Sequence, residues 1–282
     1  MDRLKLPLFR IFTTSVLFAF TGAILLLLLA DIVYVKSAPL HEVLSSPDFH
    51  SAFMLSLITS VITAVLSILV AVPAAYALSR FPFKGIIIFD VIVDFLIVLP
   101  VLVIGISLLV FFRWGNELNA SDSWLVRQAG AAIVTLGSIF IYNKPGIVFA
   151  QFFCSASFAL RALKATFDGI DPRTEKVAMT LGCTRAGAFW RITLPLAKHG
   201  VLAAAVLAWS RAFEIFGAVA IVAGSVRGKT EVMPTAIYLE FSIGRIEAAL
   251  VISLVMIIEA FVILLLLRIF SRSNVFGVRG SS

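Results

Sequence analysis

The chain has 282 residues, of which 61% are hydrophobic and 14% charged, with a mean hydropathy of +1.06 and a formal net charge of +7. Soluble domains carry about 25% charged residues, so there is too little polar surface here to meet water on every side, and lipid must solvate much of the chain. The positive charge does not mark a nucleic-acid partner, because the basic residues lie in short segments between apolar runs.

At the N-terminus, Arg3, Lys5 and Arg10 precede an apolar run from Ile11 to Val35. That run exceeds the roughly 7–15 residues of a signal-peptide core, and no clear small-residue cleavage site follows. It reads as a retained first span. A crossing helix needs about 20 mostly apolar residues, and six stretches qualify, near 11–33, 52–79, 85–112, 144–164, 199–223 and 246–268. The apolar stretch 130–163 is too long for one upright crossing and is interrupted by Asn143, Lys144, Pro145 and Gly146. Proline favours the first turn of a helix, so the fourth span is expected to start there. Residues 113–143 then form an external segment with room for a short interfacial helix. Cys154 falls in an apolar run and Cys183 in a polar loop, so neither a disulfide nor a metal site is expected.

Placing the N-terminus inside puts 15 of the 23 Lys and Arg residues on the inner side and seven outside, with Arg211 mid-span. That bias predicts a protein of the cytoplasmic (inner) membrane with both termini in the cytoplasm. The expected fold is all-α and polytopic: one transmembrane domain over 1–282, with six spans and a cytoplasmic loop over 165–198. No loop has room for a fused ATPase or catalytic domain.

The 165–198 loop reads as helix–turn–helix. Asp171 suits an N-cap and Pro172 the first helical position. Glu175 places negative charge near the helix N-terminus. Val177, Ala178 and Leu181 give an apolar face at helical spacing, and Gly182 suits a left-handed helix end. A second short helix, about 185–192, is expected to stop before Pro195. Such a helix is weakly stable alone; it serves either as a ligand for a partner groove or as a tether lying on the membrane.

This loop resembles the "EAA" loop of ABC importer permeases, E-A-A-x3-G-x9-I-x-L-P. Ala178, Gly182, Ile192, Leu194 and Pro195 fall in register. Lys176 and Val177 replace the first Glu and Ala, and Glu175 stands one residue early. The resemblance implies a coupling helix that docks in a cleft of a separate ATP-binding cassette subunit, with Glu175, Lys176, Ala178, Gly182, Ile192, Leu194 and Pro195 as contact residues. Further pieces resemble the molybdate, tungstate and sulfate branch: Val72–Tyr76, Arg80, Asp94, Val98-Leu99-Pro100, Gly105, Arg211-Ala212, Phe216-Gly217-Ala218, Lys229-Thr230 and Pro234. Two positions depart from that branch: Ile215 stands where Glu is usual before Phe-Gly, and Val101 where a second Pro is usual.

Charges inside the membrane cost at least about 2.5–3.5 kcal/mol on insertion scales. Asp94, Arg211, Glu214 and Glu259 lie within expected spans. Asp94, Pro100, Arg211 and Glu214 are the pathway candidates. Arg211 reads either as part of an anion path or as a structural partner of Glu214 or Asp94. Pro73 and Pro100 read as kinks or as hinges. Arg227 and Lys229 sit in a glycine-flanked outer loop, either simply solvated or meeting a binding protein or an anion. No convincing inverted repeat relates 1–140 to 141–282, which disfavours a secondary transporter. His41, His50 and His199 are scattered, which disfavours a membrane enzyme.

The resemblance therefore implies a permease subunit of an ATP-driven importer of tungstate or molybdate. It would be embedded in lipid and work as a homodimer. ATP and Mg would sit on a partner ATPase, no cofactor would bind this chain, and an extracytoplasmic substrate-binding protein would deliver the ion. The alternatives are a sulfate or phosphate permease, or a secondary transporter or channel for another small anion.

Overall fold

The computed structural model describes residues 2–35 and 40–273. Lys36 and Arg279, two of the loop cations counted above, lie outside the described residues, and Arg3, Lys5, Arg268 and Arg272 enter only through their backbone.

Every element among the described residues is helical. In chain order they are α1 (Asp2–Val35), α2 (Leu40–Leu44), α3 (Pro47–Arg80), α4 (Ile86–Val98), α5 (Val101–Asn119), α6 (Trp124–Phe140), α7 (Lys144–Asp168), α8 (Arg173–Thr180), α9 (Arg185–Ala188), a π-helical turn (Phe189–Thr193), α10 (Leu194–Leu196), α11 (Lys198–Glu214), α12 (Gly217–Val222), α13 (Met233–Ser242) and α14 (Ile246–Ser273). Among the described residues, α1, α3, α5, α7 and α14 are individually long and apolar enough to cross a membrane. α1 stands nearly apart, exposing Phe12, Phe18 and Leu26, as lipid permits.

α3, α7 and α11 form the centre. Lipid is as apolar as leucine, so helices in a membrane adhere through close packing and polar contacts. α3 carries a stripe of buried small polar residues, Ser56, Thr59, Ser60, Thr63 and Ser67. Thr63 Oγ1 donates to Gln151 Oε1 at 2.9 Å, and the Ser67 and Ser155 hydroxyls meet at 3.2 Å. At the far end of the stripe, Ser56 Oγ accepts the Met233 amide at 2.7 Å, which ties α13 to α3.

Two expected spans are broken. The stretch near 85–112 is two helices: Leu99 and Pro100 are extended, and Pro100 caps α5. Proline forces its predecessor out of the helical region, so Pro100 separates two helices, whereas Pro73 stays inside a continuous α3. The stretch near 199–223 ends its helix at Glu214 and restarts at Gly217. The break lets α12 lie against α5: a Cβ on Gly105 would meet Ala218 Cα at 2.8 Å, and one on Gly217 would meet Leu102 Cγ at 2.9 Å.

Residues 113–143, expected as an external segment, are also more ordered than the sequence suggests. α5 runs on to Asn119 and α6 returns against it as a hairpin instead of lying in the interface. Glycines make the approach possible, since a Cβ on Gly130 would lie 2.2 Å from the Asn119 amide nitrogen. The fourth span starts at Lys144, where the sequence puts it, with Pro145 in the first turn. Beside it, the Tyr142 amide donates to Val222 O at 2.9 Å, tying α12 to the start of α7.

Gly130→Ala forces these two backbones apart and is expected to cost about 1–3 kcal/mol through overpacking. Thermal unfolding in detergent would show a lowered midpoint, with Gly22→Ala as the neutral control, since a Cβ there meets nothing within 4 Å.

Candidate functional site

The end of the bundle where α3 finishes and α7 turns into α8 carries a two-armed elbow. Its first arm, α8, starts where Asp171 Oδ1 accepts the Arg173 amide at 2.9 Å. It closes with a Schellman motif: the Cys183 amide donates to Ala178 O at 3.0 Å and the Gly182 amide to Met179 O at 3.1 Å. Gly182 has φ +88°, which a residue with a Cβ adopts only under strain.

The second arm starts at Thr184, whose hydroxyl accepts the Gly187 amide at 3.1 Å. It does not stop before Pro195 as expected. Proline has no N–H and its ring collides with the carbonyl four residues back. The chain answers with the wider π turn, in which the Leu194 amide reaches Phe189 O, and helical backbone continues through Pro195 to Leu196. Arg185–Leu196 then meets α11 at a bend of 73°.

One carboxylate holds the elbow. Glu175 is 6% exposed. Its Oε1 accepts from Arg80 Nε at 3.0 Å and from the Thr193 hydroxyl at 2.8 Å, and its Oε2 accepts from the Tyr76 hydroxyl at 2.8 Å. Arg80 in turn donates to Ile170 O at 2.7 Å. Both arms are thereby fastened to the last turn of α3. Burial alone raises the pKa of Glu175, but the hydrogen bonds from Tyr76, Thr193 and Arg80, together with the Arg80 charge, hold it below the ordinary value. Around this hub Tyr76 packs on Phe189 at 4.6 Å and on Phe167 at 5.7 Å between ring centres, and the Arg185 guanidinium lies 5.0 Å over Phe81. Asp168 accepts from Ser79 at 2.6 Å and Lys164 at 3.2 Å, fixing the end of α7.

The sequence residues divide accordingly. Glu175 and Ala178 face inward, while Lys176, Val177 and Leu181 face outward. The expected apolar face is therefore split: Leu181 is 84% exposed and Val177 58%, and Trp190 of the second arm adds 65%. Gly182 and Pro195 are exposed, and Ile192 and Leu194 are half-buried. Lys176, at the motif's acidic position, presents its charge outward.

The pathway candidates do not form one cluster. Asp94 is bonded to Arg161 of α7, not to Arg211. Arg161 also holds Asp90 at 3.0 Å. The signal for this was present in the sequence: Asp90 and Asp94 are one turn apart, as are Arg161 and Lys164, but Arg161 reads as a loop cation by position. Arg211 pairs with Glu214 at 2.5 Å and lies 4.3 Å over Phe158. Both members are exposed within one chain. Pro100 is exposed at the α4–α5 break. Glu259 Oε2 is buried with no hydrogen-bond partner among the described residues. In the glycine-flanked loop after α12 Arg227 is held by Glu240 at 2.6 Å, so the loop is not simply solvated, while Lys229 is exposed.

Over residues 67–275 the chain matches the family described as the binding-protein-dependent transport system inner membrane component. The chain belongs to that family. It is 28% identical over 231 residues to the sulfate transport system permease protein CysW of Synechocystis sp., covering 82% of this chain and 80% of that protein. It is 31% identical to the molybdate/tungstate transport system permease protein WtpB of Pyrococcus abyssi, over 74% of this chain and 78% of that one. It is also 31% identical to the molybdenum transport system permease protein ModB of Mycobacterium tuberculosis, over 79% and 80%. A bacterial alginate ABC transporter, solved with a periplasmic protein bound to an alginate pentasaccharide, shares the fold with TM-score 0.68 at 18% identity, over 92% of this chain and 94% of that one. This family member is a multi-pass inner-membrane permease component of an ABC importer.

Arg80→Ala leaves Glu175 buried without its cation and is expected to destabilise by about 3–5 kcal/mol. An Arg80→Met, Glu175→Leu double variant should recover most of that, because no buried charge is then left unpaired. The carboxylate also sets a pH response. Its folded pKa is depressed, so its stabilisation is complete above the unfolded value of 4.5 and is lost as pH falls through the lower folded value. Thermal midpoints measured down that acid limb should fall for the wild type and stay flatter for Glu175→Gln.

Proposed function

We propose that this permease is the membrane subunit of an ATP-driven importer for a tetrahedral oxyanion, with tungstate or molybdate as cargo. The observation that carries the reading is the preformed elbow. It is fastened internally through Glu175 and Arg80, yet leaves Leu181, Trp190, Val177 and Lys176 outside, a surface with anchors and no occupant among the described residues. An ATP-binding cassette subunit, with ATP and Mg, receives it in a cleft. Gly182, Ile192, Leu194 and Pro195 shape the two arms, and Ala178 and Glu175 hold them to the bundle.

The lysine and arginine distribution supports an elbow in the cytoplasm with both termini on the same side. Two copies would enclose the path between them, with Arg211, Glu214 and Asp94 on exposed faces of each. ATP binding draws the two elbows together and turns the cavity outward, and hydrolysis resets it. The broken helices at Pro100 and Gly217 give the bundle its joints. Arg211, the one cation among the candidates, carries a counter-ion from its own chain, and the candidate Asp94 is paired with Arg161, which suits a path that passes its ion on without a deep site. Cargo choice then falls to the extracytoplasmic binding protein. Sulfate is the second reading, favoured by the likeness to CysW.

The reading is tested by co-purification with a nucleotide-binding subunit and by ATPase activity stimulated by the binding protein. Gly182→Pro is the sharpest variant, because proline fixes φ near −65° while the site needs +88°. The variant should insert in the membrane but lose ATPase association and uptake; normal uptake contradicts the coupling role. Calorimetric titration of the binding protein with tungstate, molybdate and sulfate should show tight binding of the first two, and a preference for sulfate moves the cargo to the second reading.

A further inference from the structure

At the end of the bundle opposite the elbow is a pocket of about 200 Å³. α3 joins the two ends, with Asp48 in its first turn and Arg80 in its last, and its 34 residues span about 50 Å. Charged groups from five segments line the pocket: Glu42 of α2, Asp48 of α3, Arg227 and Glu231 of the 223–232 loop, Glu240 of α13 and Arg245 at the start of α14.

The loop is built to aim Glu231 inward. Val226 O accepts the amides of Lys229, Thr230 and Glu231 at 2.9–3.1 Å, and buried Thr230 accepts the Val226 amide at 3.2 Å. Glu231 is 4% exposed, yet its Oε2 has no hydrogen-bond partner among the described residues, and Glu240 Oε2 is also without one. The two arginines are already committed: Arg227 to Glu240 at 2.6 Å and Asp48 at 3.8 Å, Arg245 to Glu240 at 3.5 Å and Glu42 at 3.8 Å. Four carboxylates thus face two guanidinium groups, and at the buried wall Glu231 Oε2 is left unused while Glu240 Oε2 has only the 3.5 Å ion pair to Arg245. The Glu231 carboxyl is pushed up to about 7, chiefly by burial, with Arg227 opposing the rise and Asp48 and Glu240 adding to it.

An oxyanion does not suit a pocket with excess negative charge, and no acidic group among the described residues is arranged to hold a metal ion. What fits is a cation with several N–H donors. We propose that this pocket receives one lysine or arginine side chain from the substrate-binding protein, seated against Glu231 and Glu240. The inference rests on the importer reading above and deepens it. It locates one contact of the docked binding protein and makes that contact sensitive to proton concentration.

The test uses the complete permease–ATPase complex in lipid nanodiscs. The half-saturating concentration of binding protein is read from ATPase stimulation. Glu231→Gln keeps the shape and removes the charge, and a lost charge-assisted hydrogen bond should raise half-saturation about tenfold. Methylguanidinium chloride should raise it in the wild type relative to sodium chloride at equal ionic strength. Docking should tighten between about pH 6 and 8 as Glu231 loses its proton, and this trend should flatten in Glu231→Gln. His41 and His50, on neighbouring turns, remain in both proteins, so the comparison isolates Glu231. Equal half-saturation and equal pH trends in the two proteins overturn the receptor. If Glu231→Gln does not assemble, the wild-type response to methylguanidinium decides alone, and no response overturns it. No stimulation of the wild type by binding protein would overturn the importer reading instead.

Discussion

The buried ion pair between Arg80 and Glu175 is the constraint on which the elbow depends. A carboxylate withdrawn from water is costly unless it is paired and hydrogen-bonded. Here it accepts from Arg80, Tyr76 and Thr193 together. Those donors come from the end of α3 and from the second arm, while the acceptor sits on the first. A helix of eight residues that would be marginal alone is thereby fixed against a 34-residue span. The elbow is thereby joined to α3, and α3 to α7 through the polar contacts of Thr63 and Ser67.

The same logic explains the rest of the bundle. Without a hydrophobic drive between helices, the centre is knit by hydroxyls, an amide and small residues. Where the chain needs a joint, it uses proline and glycine: Pro100 separates α4 from α5, and Gly105 and Gly217 let α12 nest on α5. The two ends of α3 carry charge networks of different character. The one at the elbow is internally satisfied, whereas the one at the opposite end leaves the Glu231 Oε2 acceptor without a hydrogen-bond partner among the described residues.

Much of this was legible in the sequence. The all-α membrane class followed from composition, the start of α7 from Asn143 to Gly146, and the turn at Gly182 from a glycine after a helical repeat. The elbow's position followed from the glycine-to-proline spacing. What was not legible was long-range. Glu175 and Arg80 are 95 residues apart, and no local periodicity announces their meeting. The family resemblance implies Glu175 as a contact for a partner; its burial depends on where α3 stops. The expected apolar face of α8 is divided: Val177 and Leu181 stay outside, where a partner could receive them, while Ala178 turns inward beside Glu175. The α5–α6 hairpin is not announced by any local pattern, because it rests on a long-range fit in which Gly130 lets the backbone of α6 approach Leu118 and Asn119.

The central claim is that the elbow is rigid before any partner arrives. Amide hydrogen exchange on the isolated permease in nanodiscs tests it most directly. The account predicts that residues 173–181 and 185–196 exchange slowly, like the last turns of α3, with no ATPase present. Exchange at the rate of an unstructured loop, with protection gained only on adding the ATPase, would contradict it.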